Sequence, residues 1–104
     1  MRLTASELQQ ALSERSDYFI VDIREPYEYE ACNIGSMHVP MADISKRIDE
    51  LPKNRTLVIM CRSGKRAEAV ANLLISDFGF HNTRYLEGGI LAWRDQVDQT
   101  LELE

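Results

Sequence analysis

The chain has 104 residues, 44% of them apolar and 28% charged, an ordinary soluble composition that fits one domain around one core. Its formal net charge of −5 (12 basic, 17 acidic residues) argues against nucleic acid as a general partner, because neutralising phosphates needs a basic face. No apolar run approaches the ~18 residues of a membrane span, and the N-terminus lacks a basic-then-apolar signal, so the chain reads as cytoplasmic, without membrane contact.

Thr4-Ala5-Ser6-Glu7 has capping-box spacing, and Leu8, Ala11 and Leu12 follow at helical spacing, which predicts a helix over roughly 4–14. Residues 18–23, Tyr-Phe-Ile-Val-Asp-Ile, read as a strand. Pro26 is a first-turn residue of a short helix over about 26–31. Gly35-Ser36 marks a turn, and His38-Val39 is a short extended piece before Pro40. Ile44, Ile48 and Leu51 fit a helix ended by Pro52.

A strand over 56–60 then runs into Cys61. A helix follows the short loop after it, to about Asp77, and stops at Gly79. Residues 83–86 form a further strand, and Gly88-Gly89 opens a last helix carrying Ile90 and Trp93. Strands alternating with helices predict an α/β fold with a parallel sheet covered on both faces. In such sheets, sites form at the C-terminal ends of strands, where Asp22, Cys61 and Glu87 all fall. The expected organisation is a single domain over 1–97 and a polar tail over 98–104, which is assigned no role.

Two cysteines, Cys32 and Cys61, are too few for a disulfide framework and lack zinc-ligand spacing; His38 and His81 have no ligand partners, so no metal is expected. Cys61 stands out for its position. It closes a buried strand at the start of a helix, where unpaired N–H groups and the helix dipole favour negative charge. Arg62, Lys65 and Arg66 surround it in an otherwise acidic chain. Thiolate is the nucleophilic form of cysteine, so the stretch offers a nucleophile and an anion cradle together.

These pieces form a set that resembles the rhodanese-like domain family. Asp22-Ile23-Arg24-Glu25-Pro26 is similar to its D-x-R-E/x-P block, and Glu28-Tyr29-Glu30 with Asn33-Ile34-Gly35-Ser36 to its second block. Cys61-Arg62-Ser63-Gly64-Lys65-Arg66 looks like its active-site loop, and Gly79-Phe80, Leu86-Glu87-Gly88-Gly89 and Trp93 like its closing block. The match runs from about Thr4 to Trp93. Two departures stand out. Cys32-Asn33-Ile34-Gly35 replaces the usual Gly-His-Ile stretch, with Asn for His and one residue fewer, and Ala67 stands where many members have Ser.

The resemblance implies a rhodanese-like fold, a five-stranded parallel sheet flanked by helices on both faces. It also implies sulfur transfer from thiosulfate or a similar anionic donor to cyanide or a thiol, through a Cys61 persulfide and without a cofactor. Arg62 and Lys65 are the expected substrate-facing cations, within a binding loop that includes Ser63, Gly64 and Arg66. Gly64 supplies a close backbone approach or a positive φ. Arg66 either faces substrate or pairs with Asp22. Asp22 and Arg24 are expected as scaffold charges, Arg24 pairing with Glu25, Glu28 or Glu30. Cys32 is a partly buried loop residue or a thiol that resolves the persulfide. Two other functions stay open: a persulfide carrier fed by a partner protein, and a phosphatase or arsenate reductase. The six-residue loop from Cys61 to Arg66 disfavours the latter, since the related phosphatases and reductases have one residue more.

Overall fold

In the computed structural model, which describes residues 1–103, the apolar runs become five parallel strands of one sheet. The strands are β1 (Arg2–Leu3), β2 (Tyr18–Asp22), β3 (Met37–His38), β4 (Thr56–Met60) and β5 (Thr83–Leu86). The helices are α1 (Ala5–Ser13), α2 (Pro26–Ala31), α3 (Lys65–Phe78) and α4 (Gly89–Gln96), with a 3-10 segment over Met41–Glu50. Glu104, the last residue of the expected tail, lies outside the described residues.

Local chemistry sets most boundaries. Thr4 caps α1 by accepting the Glu7 N–H at 3.1 Å, and the Glu7 carboxylate returns to the Thr4 N–H at 2.9 Å, completing the expected capping box. Gly79 ends α3 in the left-handed region, φ +74°. Two elements depart from the sequence reading. β1 is a two-residue edge strand, too short to carry a period, and it exists because it pairs with β5. The segment after Pro40 is a 3-10 coil rather than a regular helix, interrupted at Arg47 (φ −114°), although Ile44 is buried as its apolar spacing requires.

Strand alternation sorts β4 between two core layers. Leu57 and Ile59 pack with Val70, Ala71 and Leu74 of α3 and with Ile44; Val58 and Met60 pack with Leu8 of α1 and with Ile90 and Trp93 of α4. Burying each of these large side chains contributes about 1.5–3 kcal/mol. The same alternation puts Cys61 on the α3 side, in the first of these clusters.

The strand order is β1-β5-β4-β2-β3. From β2 the chain moves outward through α2 to β3. From β4 it moves the opposite way through α3 to β5. Connections therefore diverge between the C-terminal ends of β2 and β4, which are register partners at Asp22 and Met60. Divergence of this kind opens the crevice in which parallel α/β sheets bind ligands, and Cys61 and Asp22 stand on its two sides. Among the described residues, no helix is long and apolar enough to cross a membrane.

Candidate active site

The loop after β4 is folded around one sulfur atom. Cys61 is fully buried. The chain reverses at Gly64, whose φ of +101° lies in the left-handed region, and there begins α3. The reversal points the Gly64 N–H at Cys61 Sγ (3.1 Å) and brings the Ala67 N–H, in the first turn of α3, to 3.4 Å. Glycine is required at 64 twice over. A Cβ there would take up the left-handed strain and would also meet the Gly88 nitrogen at 3.1 Å and the Leu86 oxygen at 3.2 Å.

The carbonyl side of the same loop faces the start of α4. The Ile90 N–H donates to the Cys61 oxygen at 2.9 Å and the Leu91 N–H to the Arg62 oxygen at 3.2 Å. Helix α4 thus gives the orphan donors of its first turn to the loop instead of to a ligand. With its carbonyls held outward, the loop turns N–H groups inward to the sulfur. Contact is so close that a Cβ on Gly89 would lie 2.3 Å from the Arg62 oxygen and 2.4 Å from the Cys61 oxygen. Gly88-Gly89 is therefore a helix start, as expected, and also the floor of the loop, a role the sequence reading did not give it.

Charges around the loop pair differently from the sequence expectation. Arg66 does not reach Asp22. Its guanidinium donates to Glu28 at 3.1 and 3.3 Å, tying α3 to α2. Burial pushes the Glu28 carboxyl up, but the hydrogen bonds from Arg66 and from the Glu25 N–H outweigh it and hold the group below its ordinary value. Glu28 in turn raises Arg66, with a smaller contribution from negative charge on Cys61.

Asp22 is committed elsewhere. Its carboxylate is completely buried and accepts both the side chain and the backbone N–H of Arg24 at 2.8–3.1 Å. Arg24 therefore does not pair with Glu25, Glu28 or Glu30. A strand end places Asp22 two residues before Arg24, and closing that short ring lets two buried charges satisfy each other. Arg24 also donates to the Cys32 carbonyl at 2.6 Å, which pins the end of α2 to the rim. The Arg24 carbonyl accepts from His38 Nε2 at 2.8 Å; a carbonyl can only accept, so this nitrogen carries the proton. The His38 ring stacks on Tyr29 with centroids 4.3 Å apart.

Arg62, Ser63 and Lys65 are exposed around the mouth of the loop. Next to Arg62 is a small cleft of about 20 Å³, lined by Arg24, Glu28, Ala31, Cys32, Arg62 and Leu103. Cys32 is a half-buried free thiol that lines this cleft together with Arg62. Three residues at the site had no assigned site role in the sequence reading. Glu28 was visible inside a motif but its partner was not. Gly89 needed the loop carbonyls to explain it. Leu103 lies in the expected tail, and Leu101 and Leu103 pack on the core layer of Met60, Leu86 and Ile90. Among the described residues, no group of three or more His, Cys, Asp or Glu side chains could hold a metal.

Known proteins agree with this architecture. Residues 4–96 match the model of the Rhodanese-like domain. A sulfurtransferase of Allochromatium vinosum is 37% identical over 92 residues, covering 88% of this chain and 85% of that protein. The probable adenylyltransferase/sulfurtransferase MoeZ of Mycobacterium tuberculosis is 33% identical over 99 residues, covering 91% of this chain; the chain spans only 25% of that longer protein. The crystal structure of a rhodanese-related protein from Thermoplasma volcanium superposes with a TM-score of 0.83 at 25% identity, over 99% of this chain and 98% of that one. The chain belongs to the rhodanese-like domain family.

Proposed function

We propose that this protein is a sulfurtransferase that carries sulfane sulfur as a persulfide on Cys61. The observation that carries this reading is the pair of backbone N–H groups converging on Cys61 Sγ, 3.1 Å from Gly64 and 3.4 Å from Ala67, at the start of α3. Fixed donors aimed at one sulfur stabilise its thiolate and, after transfer, the persulfide that replaces it. Similarity to a sulfurtransferase over most of both chains supports the same chemistry.

In the charging step the Cys61 thiolate attacks the outer sulfur of thiosulfate. A new S–S bond forms, the bond to the sulfonate sulfur breaks, and sulfite leaves with the electron pair. In the discharging step a cyanide or thiolate acceptor attacks the outer sulfur, the S–S bond breaks, and the thiolate returns on Cys61. The two half-reactions share one enzyme form and give ping-pong kinetics. Arg62 and Lys65 steer the anionic donor and help sulfite leave. Arg66, held by Glu28, is a positioning residue at the start of α3. Asp22 and Arg24 fix the rim. No cofactor is required.

The test is intact mass after exposure to thiosulfate, for the wild type and for Cys61→Ser. The expected result is a gain of one sulfur atom, removed by cyanide and absent in the variant. Loss of two hydrogens instead would make Cys32 the resolving thiol. A folded, reduced protein that gains nothing overturns the thiosulfate reading. The second reading, a carrier charged by a partner protein, is favoured by the match to one quarter of MoeZ, where the similar region is joined to other sequence. Charging by a protein persulfide donor but not by thiosulfate selects it.

A further inference from the structure

The end of the sheet opposite Cys61 carries a second concave surface. It is an open groove of about 220 Å³ whose lining includes Tyr18, Thr56, Ile75, His81, Asn82 and Arg84. Tyr18 begins β2, Thr56 begins β4, and the two are register partners. Thr83 begins β5 opposite Leu57, which sets Asn82 beside Thr56. The groove therefore follows strand starts, whereas Cys61 follows a strand end. The five residues of β4 between them span about 16 Å.

Arg84 is the register partner of Val58 and shares its face of the sheet. Further along that face, Val58, Met60 and Leu86 are buried in the core layer of α1 and α4. Arg84 is half-buried, and among the described residues its guanidinium makes no hydrogen bond or ion pair. Glu7 feels its positive charge, but the Glu7 carboxylate is engaged by the Thr4 N–H at 2.9 Å. The side chains of Tyr18, Thr56, His81 and Asn82 likewise make no hydrogen bond among the described residues. No Asp or Glu lines the groove, although the chain carries 17 acidic residues. The lining thus offers a fixed positive charge and several uncommitted donors, with no carboxylate to compete for them.

We infer that this groove binds a small organic anion, a phosphate or carboxylate group on a body of a few carbons, with Arg84 as its anchor. A guanidinium presents paired N–H donors that match two oxygens of such a group. Thr56, Asn82 and Tyr18 have donors for the remaining oxygens, and Ile75 gives the carbon body an apolar wall. The size fits the same class. One water needs only ~10–15 Å³, so the groove is too large for a lone ion. It is smaller than the ~300–1,000 Å³ of sites for drug-sized ligands. The inference is independent of the chemistry at Cys61.

Glycerol phosphate, glycerate and glycerol share one body and differ in the anionic group. Each is titrated into the isotope-labelled protein, and amide shifts read residue by residue separate this groove from the Cys61 loop. Both anions are expected to shift the Thr56, Asn82 and Arg84 amides to saturation, and glycerol is expected to leave them in place. The tighter of the two names the anionic group. Arg84→Gln is expected to weaken binding about tenfold, the loss of one charge-assisted contact. Arg84→Lys keeps the charge without the fork and is expected to fall between. Asn82→Ala, at an exposed position that leaves the fold intact, is the second variant and is expected to weaken binding several-fold. Equal shifts with glycerol, shifts confined to residues 61–67, or an affinity unchanged in both Arg84→Gln and Asn82→Ala overturns the inference.

Discussion

Gly89→Ala tests whether α4 is the floor of the sulfur-binding loop. A Cβ at this position would lie 2.3 Å from the Arg62 oxygen and 2.4 Å from the Cys61 oxygen, both backbone atoms. Ordinary carbon contact begins at about 3.5 Å, so the helix and the loop must separate by about 1 Å. That movement weakens two hydrogen bonds, from Ile90 at 2.9 Å and Leu91 at 3.2 Å. Each contributes about 0.5–1.5 kcal/mol. Overpacking adds about 1–3 kcal/mol, and a Cβ at φ +61° adds about 1–2 kcal/mol. The sum is about 3–8 kcal/mol, a large part of the ~5–15 kcal/mol by which a domain is stable. Gly79→Ala is the matched control. Its φ of +74° is as unfavourable, but nothing lies within 4 Å of the added carbon, so only the conformational part, about 1–2 kcal/mol, applies. Urea unfolding of both variants measures the difference, and persulfide loading of Gly89→Ala at a stabilising temperature reads the loop itself. A Gly89→Ala variant no less stable than Gly79→Ala, and loading normally, would refute the idea that α4 holds the loop in shape.

The other predictions concern the charges of the rim. Asp22→Asn leaves the Arg24 charge buried without its partner, their side chains being 0% and 3% exposed. It should destabilise by about 3–5 kcal/mol, and Asp22→Leu combined with Arg24→Met should recover most of that loss in a double-mutant cycle by urea unfolding. The Glu28 carboxyl is held below its ordinary value of 4.5, against the opposing effect of burial, by Arg66 and the Glu25 N–H. Its stabilisation is therefore complete above the unfolded value and is lost as pH falls through the lower folded value. Glu28→Gln should flatten the acid limb of the unfolding curve without removing it, because Glu7 and Glu50 are lowered too, by hydrogen bonds from Thr4 and Arg47. Lys65→Ala should slow charging by thiosulfate several-fold at low salt and little at ~1 M salt, where the Debye length falls to ~3 Å; stopped-flow charging at two ionic strengths checks it.

Much of this protein is legible in the order of its residues. The apolar run from Leu57 to Met60 can only be a buried strand, the stretch after it has helical spacing, and a cysteine between them must fall at a helix start. Thr4 with Glu7, Pro26 and Gly79 mark boundaries because their signals are local, acting within one turn of backbone. The pairings on the rim are not local. Whether Arg66 meets Asp22 or Glu28 depends on where α2 lies over α3, and the packing of the sheet puts Glu28 in reach while Asp22 is consumed by Arg24. β1 has only two residues and becomes a strand through β5. Gly89 is a helix start in sequence and a loop floor in space, because the carbonyls that press on it belong to residues 61 and 62. Leu103 reads as part of a polar tail, yet a turn at Asp98 lays it beside the cleft. The residue types and their spacing single out Cys61 and the loop around it; contacts between distant segments decided which side chains hold that loop, since such contacts come from the shared core and no short stretch of sequence encodes them.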